Sequence, residues 1–286
     1  MTNPAKQASR RSFSSELTYY TIFGLLILFG LLMAGPFLWM LGTSLKAPAE
    51  IFQFPPNLIP GVPQWQNYPE VTRVLPFGRY FLNSFIVAIS VTALQLVVCS
   101  MAAYAFARLR FAGREFIFLM FLGALMVPSQ VTLIPRFLLM RELGWFNTYQ
   151  ALILPFVFSS FGTFLMRQYF LTLPKELEEA ARIDGATHFQ NFWLIAMPLA
   201  RPAMAALAIF TFIDQWNAFL WPLIVTTVPQ MNTLTVGLNT LRGQYNTAWN
   251  LLMAGSVIAI VPILTVFALG NRYFIKGITT SGFGGR

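Results

Sequence analysis

Long stretches without a charged residue constrain this chain more than any other feature of its sequence. About 20 apolar residues in a helix cross the hydrocarbon core of a bilayer, and a charge at its centre is costly. The sequence therefore predicts helices that span a membrane. Five stretches of 20 to 29 uncharged residues lie between Glu16 and Lys46, Arg79 and Arg108, Glu115 and Arg136, Glu142 and Arg167, and Arg242 and Arg272.

The composition excludes an ordinary water-soluble protein. Only 10% of the 286 residues are charged and 56% are hydrophobic, whereas roughly 25% of residues are charged in soluble domains. The net charge of +9 does not indicate a nucleic-acid partner, because the bases are scattered between apolar runs and form no basic face. One cysteine, Cys99, and one histidine, His188, exclude a disulfide framework and a cluster of metal ligands.

A sixth span is predicted between Arg201 and Arg242, where Asp214 is the only charge. The chain is then an all-α polytopic membrane protein, with an N-terminal segment 1–18, a transmembrane domain 19–274 and a C-terminal tail 275–286. The six transmembrane helices are predicted near residues 19–41, 81–107, 116–135, 149–167, 203–225 and 252–272.

The distribution of Lys and Arg predicts the orientation of these spans. Thirteen of the 19 basic residues lie on the side that holds both termini, and six lie on the other side. Loops rich in Lys and Arg face the cytoplasm. We therefore expect both termini to be cytoplasmic, together with the loops 108–115 and 168–202. The proline-rich loop 42–80 is expected outside.

The loop 168–202 is the most polar part of the chain, and its first half predicts a short helix. Pro174 suits the first turn, and Gly185 fits a C-terminal cap. Glu178 has the spacing to pair with Arg182 one turn later. These local signals agree with one another, so a helix is expected here rather than an irregular connector.

The second half of the same loop predicts another helix. Thr187 and Gln190 have the spacing of a capping box, and Pro198 is expected to end or kink the helix. A loop of this kind can be only a solvated connector. A shallow face at helical spacing instead favours docking of another protein, and it is formed by Leu177, Ala180, Ala181 and Asp184.

The order and spacing of Glu179-Ala180-Ala181, Gly185, Ile195 and Pro198 resemble the EAA loop of ABC-importer permease subunits. Met197 stands where that family has Leu, a change that conserves volume. The resemblance implies that the loop forms a coupling helix seated in a cleft of an ATPase subunit. The coupling residues that we expect are Glu178, Glu179, Ala180, Ala181, Asp184, Gly185, Ile195 and Pro198.

Three further segments, at 102–113, 216–222 and 272–285, are similar to the carbohydrate branch of that family. This branch includes maltose, lactose, arabinose and glycerol-phosphate permeases. The resemblance implies the type I ABC importer permease fold in the inner, or cytoplasmic, membrane of a bacterium. It also implies that the C-terminal tail reaches into the ATPase dimer.

The chain has no phosphate-binding loop of the G-x-x-x-x-G-K-[ST] type. We therefore expect it to bind no cofactor itself. The resemblance implies two separate ATP-binding subunits that hold ATP and Mg, a second and different permease subunit, and an extracytoplasmic solute-binding protein. Membrane lipid surrounds the spans. The mechanism that it implies is alternating access, in which ATP-driven closure reaches the spans as a rigid-body shift.

The expected substrate is a sugar, with glycerol phosphate as the alternative. A phosphate group calls for fixed cations, and the only Lys or Arg residues within the predicted spans, Arg167 and Arg272, are the last residues of their spans. The absence of cations deeper in the spans favours a neutral di- or oligosaccharide. An enzyme is not expected, because one His, one Cys and one intramembrane carboxylate do not provide an acid–base pair or a nucleophilic triad.

Asp214 lies 12 residues after Pro202, about 18 Å along a helix and near the middle of the bilayer. A carboxylate there is not expected to face lipid. It either lines the pathway or is satisfied by neighbouring amides or a partner permease. Alternatively, it is the ion or proton site of a secondary transporter. The candidate pathway residues, which would hydrogen-bond or stack on a sugar, are Asn83, Ser84, Asp214, Trp216, Asn217 and Trp221.

Overall fold

A computed structural model of the chain describes residues 13–243 and 247–281, with side chains for 18–243 and 247–270. The described residues form fourteen α-helices and several short 3-10 and π turns. The helices are α1 Phe13–Ser44, α2 Asn67–Val74, α3 Phe77–Arg108, α4 Arg114–Leu125, α5 Leu133–Glu142, α6 Tyr149–Ile153, α7 Ser160–Thr172, α8 Lys175–Ile183, α9 His188–Gln190, α10 Met197–Leu199, α11 Arg201–Asn217, α12 Leu220–Val225, α13 Leu234–Asn239 and α14 Trp249–Ser281.

Helix α3 is the central element of the fold, because each of three buried hydrophobic clusters includes its residues. Cys99 and Tyr104 pack with α7, the 188–199 segment and α11. Tyr80 packs with α2, α11 and α13. Val87 and Val91 pack with α5, α6 and α12. Any movement of α3 would therefore change its packing against most of the other helices.

Within the described ranges, three helices are long and apolar enough to cross a membrane. They are Thr18–Ser44 within α1, Phe77–Arg108 and Trp249–Gly270 within α14. They contain or overlap the first, second and sixth predicted spans. Most side chains of the first are exposed, although it also packs against α14, so much of its apolar surface faces what surrounds this subunit.

The fourth and fifth predicted spans lie in bent pairs of helices. Tyr149–Phe156 and Ser160–Thr172 meet at 43°, and His188–Leu199 and Arg201–Trp216 meet at 78°. The fifth predicted span, 203–225, is also interrupted between α11 and α12. Counting each bent pair once gives five crossings, so the number six stays a prediction.

The third predicted span, 116–135, is not a single helix, and this prediction is wrong. Helix α4 ends at Leu125, the chain turns through residues 126–132, and α5 begins at Leu133. Pro128 has a fixed φ and no N–H to donate, which disfavours continuation of a helix through it. The 12 residues of α4 extend about 18 Å, less than the roughly 30 Å of a hydrocarbon core.

Side chains of α3 and α11 satisfy the backbone where the fourth span breaks. Gln95 Nε2 donates to the carbonyl of Phe156 at 2.6 Å, and Thr211 Oγ1 donates to Gln95 Oε1 at 2.9 Å. Ser159 caps α7 by accepting from the N–H of Gly162. Polar groups freed by a break in an apolar medium need such partners. The break is thus fixed by its neighbours.

The segment between α1 and α3, predicted to be an irregular outer loop, contains a helix and a buried polar anchor. Asn67, in α2, donates to the carbonyls of Ser44 and Lys46 at 2.9 and 3.0 Å. Asn250 donates to Asn67 Oδ1 at 2.9 Å. Lys46 is 2% exposed, and its Nζ lies 4.7 Å from the centroid of the Trp39 ring. These contacts fix the segment to α1 and α14.

Candidate functional site

Helix α8 stands on the surface, and none of its nine residues is buried. Its C-terminal end is a Schellman cap, in which Gly185 donates to the carbonyl of Arg182 at 3.1 Å and Ala186 donates to that of Ala181 at 2.8 Å. Gly185 has a φ of +90°, a conformation that glycine adopts without steric cost. The predicted cap at Gly185 is therefore confirmed.

The predicted capping box is present at the start of the next helical segment. Thr187 Oγ1 accepts from the N–H of Gln190, and Gln190 Oε1 accepts from the N–H of Thr187. A π turn then spans residues 191–196. It precedes Pro198, which has no N–H and whose ring clashes with a regular helix. The segment runs to Leu199 before the chain bends into α11.

The inner face of α8 is attached to the end of α3. Glu178 does not pair with Arg182 as predicted. Its Oε1 instead lies 3.0 Å from Nε of Arg108, the last residue of α3, and its Oε2 accepts from the hydroxyl of Tyr104 at 3.0 Å. A tertiary ion pair thus replaces the local pair, because it is shielded from water and therefore electrostatically stronger.

Two backbone contacts complete this attachment. Arg108 Nη2 donates to the carbonyl of Leu173, just before α8, at 2.6 Å. Asn191 Nδ2 donates to the carbonyl of Glu178 at 3.2 Å. The sequence analysis missed Tyr104, Arg108 and Asn191 as parts of the site. The one signal in the sequence that could have indicated a role for Arg108 is its position, as a cation that ends a long apolar run beside a polar loop.

The outer face of α8 is open. Glu179, Ala180 and Asp184 are exposed, whereas Ala181, predicted on the same face, is half-buried toward the chain. We define the docking face as Leu177, Glu179, Ala180, Ile183 and Asp184. Ile195 is half-buried and Pro198 is exposed.

Large apolar side chains on and beside this face are also uncovered. Ile183 is 87% exposed, Leu194 is 72% exposed and Phe189 is 63% exposed. Contiguous apolar surface rimmed by polar residues is typical of a protein interface.

Asn83 and Ser84, predicted to line the pathway, are buried and fully engaged inside the chain. Asn83 donates to the carbonyls of Gln230 and Asn232 at 2.9 Å each and accepts from the hydroxyl of Tyr149 at 2.7 Å. Ser84 Oγ accepts from the first N–H of α13 at 2.8 Å. Both side chains thus hold the 229–234 segment on α3, and their place in the pathway stays a prediction.

Trp216 and Trp221, predicted to stack on a sugar ring, are also buried. Trp216 Nε1 donates to the carbonyl of Ala259, and Trp221 Nε1 donates to that of Ala151, both at 2.9 Å. The ring of Trp216 stacks on Phe212 at 5.6 Å between centroids. These indoles pack the interior of the fold.

Asp214 and Asn217 alone among the predicted pathway residues are exposed, and they lie three residues apart on α11. Gln215 Nε2 donates to Asp214 Oδ2 at 3.0 Å, and Asn217 donates to the carbonyl of Ile213 at 2.9 Å. Asn217 also borders a largely apolar cavity of about 850 Å³ between α1, α11, α13 and α14. Asp214 and Asn217 thus lie close together and exposed on α11, whereas Asn83 and Ser84 are buried on α3.

The described residues thus form a helical fold with helices long enough to cross a membrane, and the exposed helix α8 is docked on its central helix, α3. Residues 95–280 match the family described as binding-protein-dependent transport system inner membrane component, and the chain belongs to this family. Membership confirms the resemblance to ABC-importer permeases and the helical permease fold. The chain is therefore a multi-pass permease of a binding-protein-dependent transport system.

Two relatives are similar over most of their lengths. The arabinooligosaccharides transport system permease protein AraQ of Halalkalibacterium halodurans is 44% identical over 209 residues, which cover 73% of this chain and 75% of the relative. The sn-glycerol-3-phosphate transport system permease protein UgpE of Yersinia enterocolitica is 37% identical over 265 residues, which cover 90% and 92%. Both relatives are transport permeases rather than enzymes.

The same fold occurs in a solved bacterial ABC transporter involved in the import of the acidic polysaccharide alginate. The TM-score is 0.81 at 24% sequence identity, and the match covers 92% of this chain and 98% of the other. A bacterial alginate ABC transporter in complex with an alginate pentasaccharide-bound periplasmic protein matches with a TM-score of 0.64 at 14% identity.

Proposed function

We propose that this chain is the permease subunit of an ABC importer that moves a di- or oligosaccharide into the cell by alternating access. The similarity to AraQ over 73% of the chain supports an oligosaccharide. The similarity to UgpE supports glycerol phosphate as the alternative substrate. Both termini are cytoplasmic in this proposal, and α8 lies on the cytoplasmic side.

One observation carries the proposal: α8 is uncovered on its outer face and bonded to α3 on its inner face. A helix this short is marginal alone, and its apolar outer residues call for a partner. That partner would be one of two ATP-binding subunits that hold ATP and Mg, since this chain has no phosphate-binding loop. The coupling residues Glu179, Asp184 and Gly185 would contact it.

A second permease subunit would cover the exposed face of α11. A carboxylate within the membrane is costly when it faces lipid, yet Asp214 is not covered by its own chain. A partner permease, or a water-filled pathway between the two, removes that cost. The uncovered α1 would meet the same partner and lipid, and an extracytoplasmic solute-binding protein would deliver the substrate.

The test is uptake of a labelled arabinooligosaccharide into proteoliposomes that contain this chain, its ATP-binding subunits, its second permease and its solute-binding protein. We expect uptake to require ATP and the binding protein, and to persist when an ionophore collapses the proton gradient. Uptake that needs the gradient but not ATP would establish the secondary transporter based on Asp214. ATP-dependent uptake of labelled glycerol 3-phosphate, but not of the labelled arabinooligosaccharide, would assign the alternative substrate.

A further inference from the structure

The ion pair between α3 and α8 is the most buried one among the side chains that the structure describes. The side chains of Arg108 and Glu178 are 5% and 13% exposed. The carboxylate of Glu115, which pairs with Arg114 and Arg167, is 58% exposed. Water and salt screen exposed pairs strongly and buried pairs weakly, so the Arg108–Glu178 pair retains most of its attraction.

Three hydrogen bonds strengthen the attachment that this ion pair makes between α8 and the rest of the chain. Tyr104 occupies the second carboxylate oxygen of Glu178, Arg108 also bonds the carbonyl of Leu173 before α8, and Asn191 bonds the carbonyl of Glu178 from the next segment. We call Tyr104, Arg108, Glu178 and Asn191 the α8 joint. The bonds from Tyr104 to Glu178 and from Arg108 to Leu173 are charge-assisted and directional, whereas apolar packing has no preferred direction.

The joint lies between the docking face and the core. Arg108 is the last residue of α3, which contributes to all three buried clusters. Glu178 and Arg108 therefore form a direct mechanical connection between the helix that carries the docking face and the end of α3. We propose, on the basis of the proposed function, that Tyr104, Arg108 and Glu178 are positioning residues that transmit movement of α8 to α3. Loss of the joint then uncouples ATP hydrolysis from uptake.

The test compares Glu178→Gln with Lys175→Gln in the full importer complex in proteoliposomes. Both changes remove one charge from α8, but Lys175 is exposed, lies off the docking face at helical spacing and makes no ion pair among the described side chains. The measured quantity is the number of solute molecules imported per ATP hydrolysed. We expect this ratio to fall about tenfold in Glu178→Gln, a coupling loss within the ordinary range, and to stay at the wild-type value in Lys175→Gln.

This ratio separates transmission from a merely structural role. If the pair only stabilised the fold, Glu178→Gln would reduce the number of assembled complexes, and ATP hydrolysis and uptake would fall together. An unchanged ratio in an assembled Glu178→Gln complex overturns the inference. Co-purification of the ATP-binding subunits reports assembly in each variant.

Tyr104→Phe decides the matter if Glu178→Gln does not assemble. The change removes one hydroxyl and keeps the ring between Phe170 and Phe192. We expect a fall of about threefold in solute per ATP, the effect of one lost hydrogen bond. A wild-type ratio in Tyr104→Phe then overturns the inference.

Failure of the inference differs from failure of the proposed function. If the wild-type complex shows no ATP-dependent uptake, the proposed function falls, and the inference falls with it. If the wild-type complex imports solute with ATP and the joint variants keep its ratio, only the inference falls.

Discussion

Tyr80 lies so close to α13 that Gly237 has no room for a side chain. A Cβ at this position would lie 2.1 Å from Cδ2 and 2.4 Å from Cε2 of the ring. Tyr80 is buried on the central helix, so the ring has little freedom to move away. The residue type at position 237 is therefore fixed by close approach of a ring to a backbone.

We predict that Gly237→Ala lowers the free energy of unfolding by about 1–3 kcal/mol, the usual cost of overpacking. The thermal midpoint of the full chain in detergent measures the change. Gly123→Ala is the control, because a Cβ there meets no atom within 4 Å and alanine favours a helix. Equal midpoints for Gly237→Ala and the wild type would contradict the prediction.

Asn83 provides a second test of a single side chain. In Asn83→Ala, the carbonyls of Gln230 and Asn232 and the hydroxyl of Tyr149 lose their hydrogen bonds to residue 83. A buried polar group that is left unpaired lowers the free energy of unfolding by roughly 1–3 kcal/mol. We expect a lower thermal midpoint and an unchanged KM for uptake. Asn217→Ala should do the reverse, because Asn217 is exposed beside Asp214. A raised KM with normal stability in Asn83→Ala would instead indicate that Asn83 lines the pathway.

At the scale of one helix, variants of the C-terminal cap of α8 test whether this helix docks on a partner. Gly185 has a positive φ and open space around it. Asn tolerates this conformation better than other residues with a side chain, so Gly185→Asn separates backbone strain from docking space. We expect Gly185→Asn to keep the thermal midpoint of the permease and to lower solute uptake per ATP. Gly185→Val should lower both.

The two quantities in the Gly185 variants have distinct meanings. Normal uptake per ATP in both variants would show that nothing docks closely at Gly185, and it would count against the coupling role. Normal uptake in Gly185→Asn alone would show that only the backbone conformation matters there.

The features that the sequence predicted well are determined by residues that are close together in the chain. The cap at Gly185 and the capping box at Thr187 are local geometry, and the three long helices follow from apolar length. The third span failed because a gap between charges measures apolar length but not helix continuity through Pro128. Glu178 has an acceptable partner one turn away, so no local rule favours Arg108, which is 70 residues distant.

The candidate pathway was predicted less well than the helices, for a similar reason. Polar and aromatic residues in an apolar span either line a pathway or satisfy the interior, and residue type does not distinguish the two. Trp216 and Asn83 satisfy the interior, while Asp214 and Asn217 remain exposed. Only the packing of the helices around α3 decides which side chains remain exposed.

At the scale of the whole molecule, the described residues leave much apolar surface uncovered, so assembly of this subunit should depend on other chains. Asp214 lies on the uncovered face of α11, and Asp214→Asn tests what this face does. We expect the variant to co-purify with the second permease and to import solute more slowly, because an amide keeps the size and polarity of the side chain but not its charge. Glu142→Gln, on α5 and outside the predicted spans, is the control.

The outcome for Asp214→Asn distinguishes two roles. Loss of the second permease during purification would assign the charge to assembly instead of the pathway. Wild-type uptake and wild-type stability would show that the charge serves neither role.

The uncovered Ile183, Phe189 and Leu194 have a consequence for the cell that makes this protein. In the orientation proposed above, copies without an ATP-binding partner expose these apolar side chains to the cytosol, where chaperones and proteases recognise such surfaces. We therefore expect surplus copies to be degraded, so that the abundance of the importer follows the supply of its motor subunit. Balanced synthesis of the subunits would then be enforced by turnover as well as by gene expression.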